Sequence, residues 1–262
     1  MRILYILFSH SAFIAAGVFA QQYQTESTYK LHISVGTNWL FMLATLTAYN
    51  LYYWLSIRLQ KTDSNPVGFF NGSSYGWMAL IAGAGTAFLF FSQAVDVAVF
   101  VSIGLFTALY FGLVFSKYGR LDHHPVFRVL KILLLSWVWW LTVFLYPFRQ
   151  ANIQIGLSLG WDACFRFCSL LLICMIYDCK DGLLLKHARL WTSLFLVVAG
   201  LLLVSGLMAS ASLDQWLLTV IVAGISVSFF LVPRHPKGFW FYAFWTDGLL
   251  WLPVLLQQVM SI

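Results

Sequence analysis

Two aspartates three residues apart, Asp178 and Asp181, stand at the end of a long apolar run and are followed by Lys186, His187 and Arg189. On a continuing helix that spacing puts both carboxylates on one face. Two carboxylates so placed suit Mg2+, which takes oxygen ligands and usually keeps several waters while bridging to substrate phosphates. Acids, bases and an apolar run meeting at one boundary fit a diphosphate head whose hydrocarbon tail stays in lipid. The plainer reading is a solvated pair of acids neutralised by Lys180 and Lys186.

Earlier in the same run Asp162 and Arg166 lie four residues apart. Each would cost about 2.5 to 3.5 kcal/mol at the centre of a bilayer on insertion scales, so they are expected to pair along the helix as a structural unit. Cys164, Cys168, Cys174 and Cys179 lie on or beside this run without a Cys-x-x-Cys spacing, and read as small hydrophobes.

A second constellation sits upstream. Asn50, Trp54 and Arg58 recur every four residues and share a helix face. Taken singly they are a helix-bonding amide, a belt aromatic and a charged anchor. The most basic stretch, residues 116–131, carries Lys117, Arg120, Arg128 and Lys131. Its cations suit a phosphate clamp, or else hold the loop against anionic lipid. Asp122, His123 and His124 do not make a metal site, because adjacent histidines point apart and no third ligand is spaced for them.

The elements that must position these groups are membrane helices. The chain of 262 residues is 61% apolar and only 9% charged, against about 25% charged in soluble domains. Its mean hydropathy is +0.83. The net charge of +6 follows from basic loops rather than from a nucleic-acid surface. Runs of spanning length are expected near residues 3–20, 34–57, 77–93, 97–115, 129–148, 155–177, 190–209, 213–232 and 239–260, nine in all, forming one domain over residues 1–262.

Charge tests that count. Arg2, Arg58, Lys61, Lys117, Arg120, Arg128, Lys131, Lys180, Lys186, Arg189, Arg234 and Lys237 fall on one side, and only Lys30 and Arg149 on the other. The positive-inside bias then puts the amino terminus in the cytoplasm. The first run also has the features of a signal peptide, with Val18, Phe19 and Ala20 preceding Gln21. His10 and Ser11 interrupt its apolar part and favour a retained helix, and residues 21–30 are expected outside in either case. Residues 61–76 carry turn chemistry and make a cytoplasmic loop. Gly83, Ala84, Gly85, Gly200, Gly206, Gly224 and Ser226 read as close-packing positions.

With these residues in hand, the chain resembles the UbiA superfamily of intramembrane prenyltransferases. The likeness is carried by YNLYYWL (49–55), FRVLKILLLSWVWWLTVFLYP (127–147), RFCSLLLICMIYDCKDGLLLKHARLWT (166–192) and TDGLLWLPVLL (246–256). The resemblance implies an all-α bundle of nine transmembrane helices, with aspartate-rich motifs at the cytoplasmic ends of helices 2 and 6. In the first motif Asn50 is kept, while Trp54 and Arg58 replace acids. In the second Asp178 and Asp181 are kept and Leu185 replaces an acid.

The activity so implied is transfer of an isoprenyl group from an isoprenyl diphosphate to a lipophilic acceptor, in a membrane of the bacterial inner type. Asn50, Asp178 and Asp181 would be the catalytic polar end, with Mg2+ on the two aspartates. Arg58, Lys117, Arg120, Arg128, Lys131 and Lys186 would receive the diphosphate. Tyr49, Tyr52, Tyr53 and Trp54 would line the prenyl channel. The alternative is a non-catalytic relative that binds an isoprenoid or a protein partner. A transporter or channel is a more distant reading, and a last helix without lysine argues against a retinal protein.

Overall fold

The computed structural model describes residues 11–60, 72–115, 125–154, 156–178 and 188–209, together with Trp251 and Leu255. Among these residues every regular element is helical. Helix α1 spans Ala12–Tyr29, α2 Val35–Gln60, α3 Gly72–Ser92, α4 Val97–Phe115 and α5 Pro125–Trp140. A π-helical turn, Leu141–Leu145, joins α5 to the short α6, Tyr146–Gln150. Helix α7 covers Leu157–Asp178 and α8 Ala188–Ala209.

Local chemistry fixes several ends. The Asp96 carboxylate accepts from the Val99 N–H at 3.2 Å and caps α4. Ser34 Oγ accepts from the Gly36 N–H at 3.1 Å ahead of α2. Pro125 opens α5, where its missing N–H leaves no helical bond unmade.

Among the described residues, five stretches are long and apolar enough to cross a membrane: Ser73–Ser92, Val97–Phe115, Val126–Gln150, Leu159–Ile176 and Thr192–Ala209. The distribution of polarity agrees. Phe88 and Phe91 are 72% and 85% exposed, whereas Gln22, Thr25 and Asn38 are at most 1% exposed. Water penalises such an inversion over a large surface, and a hydrocarbon solvent favours it. The helices are therefore compatible with an integral membrane protein.

The second to seventh expected spans correspond to α2, α3, α4, α5 to α6, α7 and α8. Of the nine expected spans, five are found long and apolar enough among the described residues. Helix α2 forms where expected but is too polar to rank with the five. The eighth and ninth expected spans fall, apart from Trp251 and Leu255, outside the described residues. The first differs outright: the helix expected to end at residue 20 continues to Tyr29. Gln21, Gln22, Gln24, Thr25 and Glu26 are buried in the bundle, so their polarity does not mark an exit into water.

Helix α2 packs chiefly on α3 and α1, α7 on α8 and α5, and the π turn on α1. Gly85 serves the α2–α3 contact: a Cβ there would meet Leu43 Cδ1 at 2.9 Å. Gly200 has open space around it, so the close-packing role expected of it is not seen among the described residues.

Candidate functional site

Pro147 organises the interior. Lacking an N–H, it cannot bond the Val143 carbonyl four residues back, and its ring crowds that carbonyl. The helix widens into the π turn, and the Tyr146 N–H bonds the Leu141 carbonyl, five residues back. That register skips the Thr142 carbonyl. Two backbone acceptors are thus released from the helix inside a bundle where water does not compensate them.

Helix α1 compensates both. Gln22 Nε2 donates to the Thr142 carbonyl at 2.9 Å, and Thr25 Oγ1 donates to the Val143 carbonyl at 2.8 Å. The Thr25 hydroxyl also lies 3.0 Å from the Gln21 carbonyl, so its proton is shared between two acceptors.

The network continues into α7. Arg166 Nη1 donates to Thr25 Oγ1 at 2.9 Å, and Arg166 Nε lies 3.2 Å from Asp162 Oδ2. The Tyr29 hydroxyl donates to the same carboxylate oxygen. The guanidinium carbon sits 5.5 Å from the Phe144 ring centre and 5.9 Å from that of Tyr29. The expected pair of Asp162 and Arg166 therefore forms, with side chains 21% and 17% exposed, and α1 supplies the rest of its coordination.

Glu26 and Asn38 lie beside this network on α1 and α2, at 8% and 1% exposure. The Asn38 side chain approaches the Glu26 carboxyl from α2. Asn38 is thus within electrostatic reach, but its Nδ2 is not in hydrogen-bond geometry with Glu26 Oε1.

The loops locate this region at one end of the bundle. Ser34 Oγ is 2.6 Å from Gln93 Oε1, and a Cβ on Gly36 would strike the Gln93 side chain. The Asp96 N–H donates to Gln150 Oε1 at 3.1 Å, and Arg149 pairs with Asp96 at 3.5 Å. The carboxyl ends of α1, α3 and α6 and the amino ends of α2, α4 and α7 therefore share one end.

The opposite end holds the sequence motifs. The Arg58 guanidinium covers the Trp54 ring at 4.5 Å. Trp54 lies against α3, where a Cβ on Gly76 would sit 2.9 Å from its Nε1. Tyr53 stacks near Tyr75 of α3, and Tyr52 near Tyr110, Phe111 and Phe115 of α4. Asn50 is fully buried and donates to the Leu46 carbonyl at 2.8 Å. Leu46, one turn back on the same face, packs with Ala15 and Ala82. The Asn50, Trp54, Arg58 face is thus turned toward α1 and α3.

The face toward α7 carries other candidates. Trp140 Nε1 donates to the Ala163 carbonyl at 2.9 Å, and Ile132 packs with Leu172, Met175 and Ile176. This antiparallel register puts Arg128, one turn before Ile132, level with the last turn of α7, which closes at Asp178. Arg128 is 3% exposed and Lys131 is half-buried. Tyr49 of α2 joins Leu135, Leu170 and Ile173 in the adjoining cluster.

Asp181, Lys186, Lys117, Arg120 and Leu185 lie outside the described residues, and of Asp178 the description covers the backbone. Among the described residues no three His, Cys, Asp or Glu side chains gather as a metal site.

The sequence reading missed the face of α1. Gln22, Thr25, Glu26 and Tyr29 follow the i, i+3, i+4, i+7 spacing of one helix face. That spacing, with Pro147 inside an apolar run, was the available signal. No known protein family, no characterised protein and no solved structure matches this chain.

Proposed function

We propose that this chain is a UbiA-like membrane prenyltransferase whose diphosphate site lies between the amino end of α5 and the carboxyl end of α7. The observation that carries the reading is the level of Arg128: the register of α5 on α7 sets this buried residue at the height of the turn that ends at Asp178. A guanidinium presents N–H groups in a fork that matches phosphate oxygens.

In this reading Arg128 and Lys131 hold the diphosphate, joined by Arg58, Lys117, Arg120 and Lys186. Asp178 and Asp181 provide the hard oxygen ligands that Mg2+ takes, and the ion would neutralise charge on the diphosphate. The allylic carbon–oxygen bond breaks with its electron pair leaving on the diphosphate. The acceptor's nucleophilic atom then bonds to the allylic carbon and releases a proton. The end bearing Arg58 and Asp178 faces the cytoplasm, with the amino terminus on that side, and the chain crosses the membrane nine times.

One observation favours a second reading, an isoprenoid-binding relative without turnover. Asn50 bonds its own helix, and the ring of Trp54 occupies the place of an acid beneath Arg58. One half of a two-sided metal clamp is then lacking.

Both are tested with the chain in lipid nanodiscs and radiolabelled isoprenyl diphosphates of several lengths, with Mg2+ or EDTA. The comparison includes Arg128→Gln and a variant carrying Asp178→Asn with Asp181→Asn. Mg2+-dependent product that both variants lose supports the enzyme, and Mg2+-independent retention without product supports the binding protein. Neither binding nor product, from a cooperatively folded chain, refutes both.

A further inference from the structure

At the end of the bundle opposite the proposed diphosphate site, oxygen atoms of α1 and α2 are buried without donors. Gln22 Oε1, Glu26 Oε1 and Asn38 Oδ1 have no hydrogen-bond partner, and their residues are 0%, 8% and 1% exposed. The orientation of Gln22 is fixed, because its Nε2 must face the Thr142 carbonyl it bonds at 2.9 Å. Its oxygen is therefore directed elsewhere. Gln22 and Glu26 are one helical turn apart on a single face, and Asn38 approaches Glu26 from α2.

The account of donors does not close. Asn38 Nδ2 carries two N–H groups and Gln22 Nε2 keeps a second, but none of them is in hydrogen-bond geometry with any of the three oxygens. The neighbouring cation does not help: Arg166 is engaged with Asp162 and Thr25. Glu26 makes no ion pair among the described residues.

We propose that Gln22, Glu26 and Asn38 hold a monovalent, hard cation of the sodium class between α1 and α2. One carboxylate and two amide carbonyls are the all-oxygen donor set such an ion takes. A single positive charge neutralises a single carboxylate, whereas a divalent ion would leave a net charge in a medium that disfavours it. The carboxyl end of α1 adds favourable dipole potential, which the amino end of α2 offsets. The site would tie α1 to α2 just as Gln22 and Thr25 tie α1 to the π turn. It is independent of the prenyltransferase reading and stands or falls separately.

The experiment uses the full chain in lipid nanodiscs, with thermal unfolding in sodium chloride and in choline chloride at equal ionic strength. Sodium is expected to raise Tm by about 4 °C or more at saturation, the size expected when a native-state site is filled far above its Kd in a chain of this length. Choline is too large and has no directed charge for oxygen ligands, so it sets the baseline. Glu26→Gln should unfold cooperatively in choline and lose the sodium shift. Asn38→Ala, which keeps the carboxylate, should shift the half-saturating sodium concentration upward at least tenfold. Equal Tm in sodium and choline overturns the proposal and leaves water or a protonated Glu26 as the occupant. A full sodium shift retained by both variants overturns it as well.

Discussion

Replacing Arg166 by methionine isolates what the α1–α7 network contributes. The side chain keeps its length but loses the charge, the contact to Asp162 at 3.2 Å and the bond to Thr25 at 2.9 Å. It also leaves the Asp162 carboxylate with the Tyr29 hydroxyl as its remaining partner in the network. Removing one member of a buried pair costs about 3 to 5 kcal/mol because the other charge is stranded. Here the side chains retain 17% and 21% exposure, which lets solvent screen part of that cost, so we expect about 2 to 3 kcal/mol. Adding Asp162→Asn to Arg166→Met removes the stranded charge. The double variant should then be more stable than the sum of the two single losses by about 1 to 2 kcal/mol. Equilibrium unfolding in mixed detergent and SDS, followed by circular dichroism, reads all four proteins. A loss below about 0.5 kcal/mol for Arg166→Met, or strict additivity in the cycle, would falsify the assignment of this pair as a coupled support.

Three further outcomes follow from the geometry. Pro147→Ala restores an N–H for the Val143 carbonyl and releases Thr25; combined with Thr25→Val it should recover at least half of the roughly 1 to 3 kcal/mol that Thr25→Val costs alone, measured by the same unfolding assay. Gly76→Ala places a Cβ 2.9 Å from Trp54 Nε1 and should cost about 1 to 3 kcal/mol, whereas Gly200→Ala, with open space around it, should be neutral or slightly stabilising. Cysteines introduced at Asn152 and at Ser73, both exposed, should react with an impermeant maleimide from opposite faces of sealed vesicles, Asn152 from outside; labelling from one face would refute the proposed orientation.

The existence of α2 to α8 was legible because a helix facing hydrocarbon must present an uninterrupted apolar surface, and a run of that kind is visible in any sequence. Their ends were less so, since α3 begins at Gly72 within the expected loop 61–76 and α5 at Pro125 within the expected loop 116–131, where polar residues continue a helix beyond its apolar run. The pairing of Asp162 with Arg166 was legible for a similar reason, since four residues on a helix fix their proximity. Their other partners were not. Tyr29 is 133 positions from Asp162 and Thr25 is 141 from Arg166, distances that no local pattern bridges. Helix α1 was cut short at residue 20 because glutamines, a threonine and a glutamate read as an exit into water, when they are the face that docks inside. Asn50, Trp54 and Arg58 do share a face, as their spacing required. Which neighbour that face meets depends on the rotation of α2 in the bundle, and spacing alone does not encode it.

That docking face also explains why α1 holds its place. In hydrocarbon, apolar contact between helices gains little over contact with lipid tails, so association rests on packing and on polar bonds. Helix α1 is bound by Gln22 and Thr25 to two carbonyls that exist as free acceptors because Pro147 opens the helix beside them. Straightening that helix would remove both acceptors, leaving the Gln22 amide buried without its partner at a cost of about 1 to 3 kcal/mol, and the Thr25 hydroxyl with only the Gln21 carbonyl of its own helix to donate to. The proline and the polar face of α1 are therefore two halves of one fitting: either alone destabilises the bundle, and only together do they close the hydrogen-bond account that a lipid-embedded interior demands.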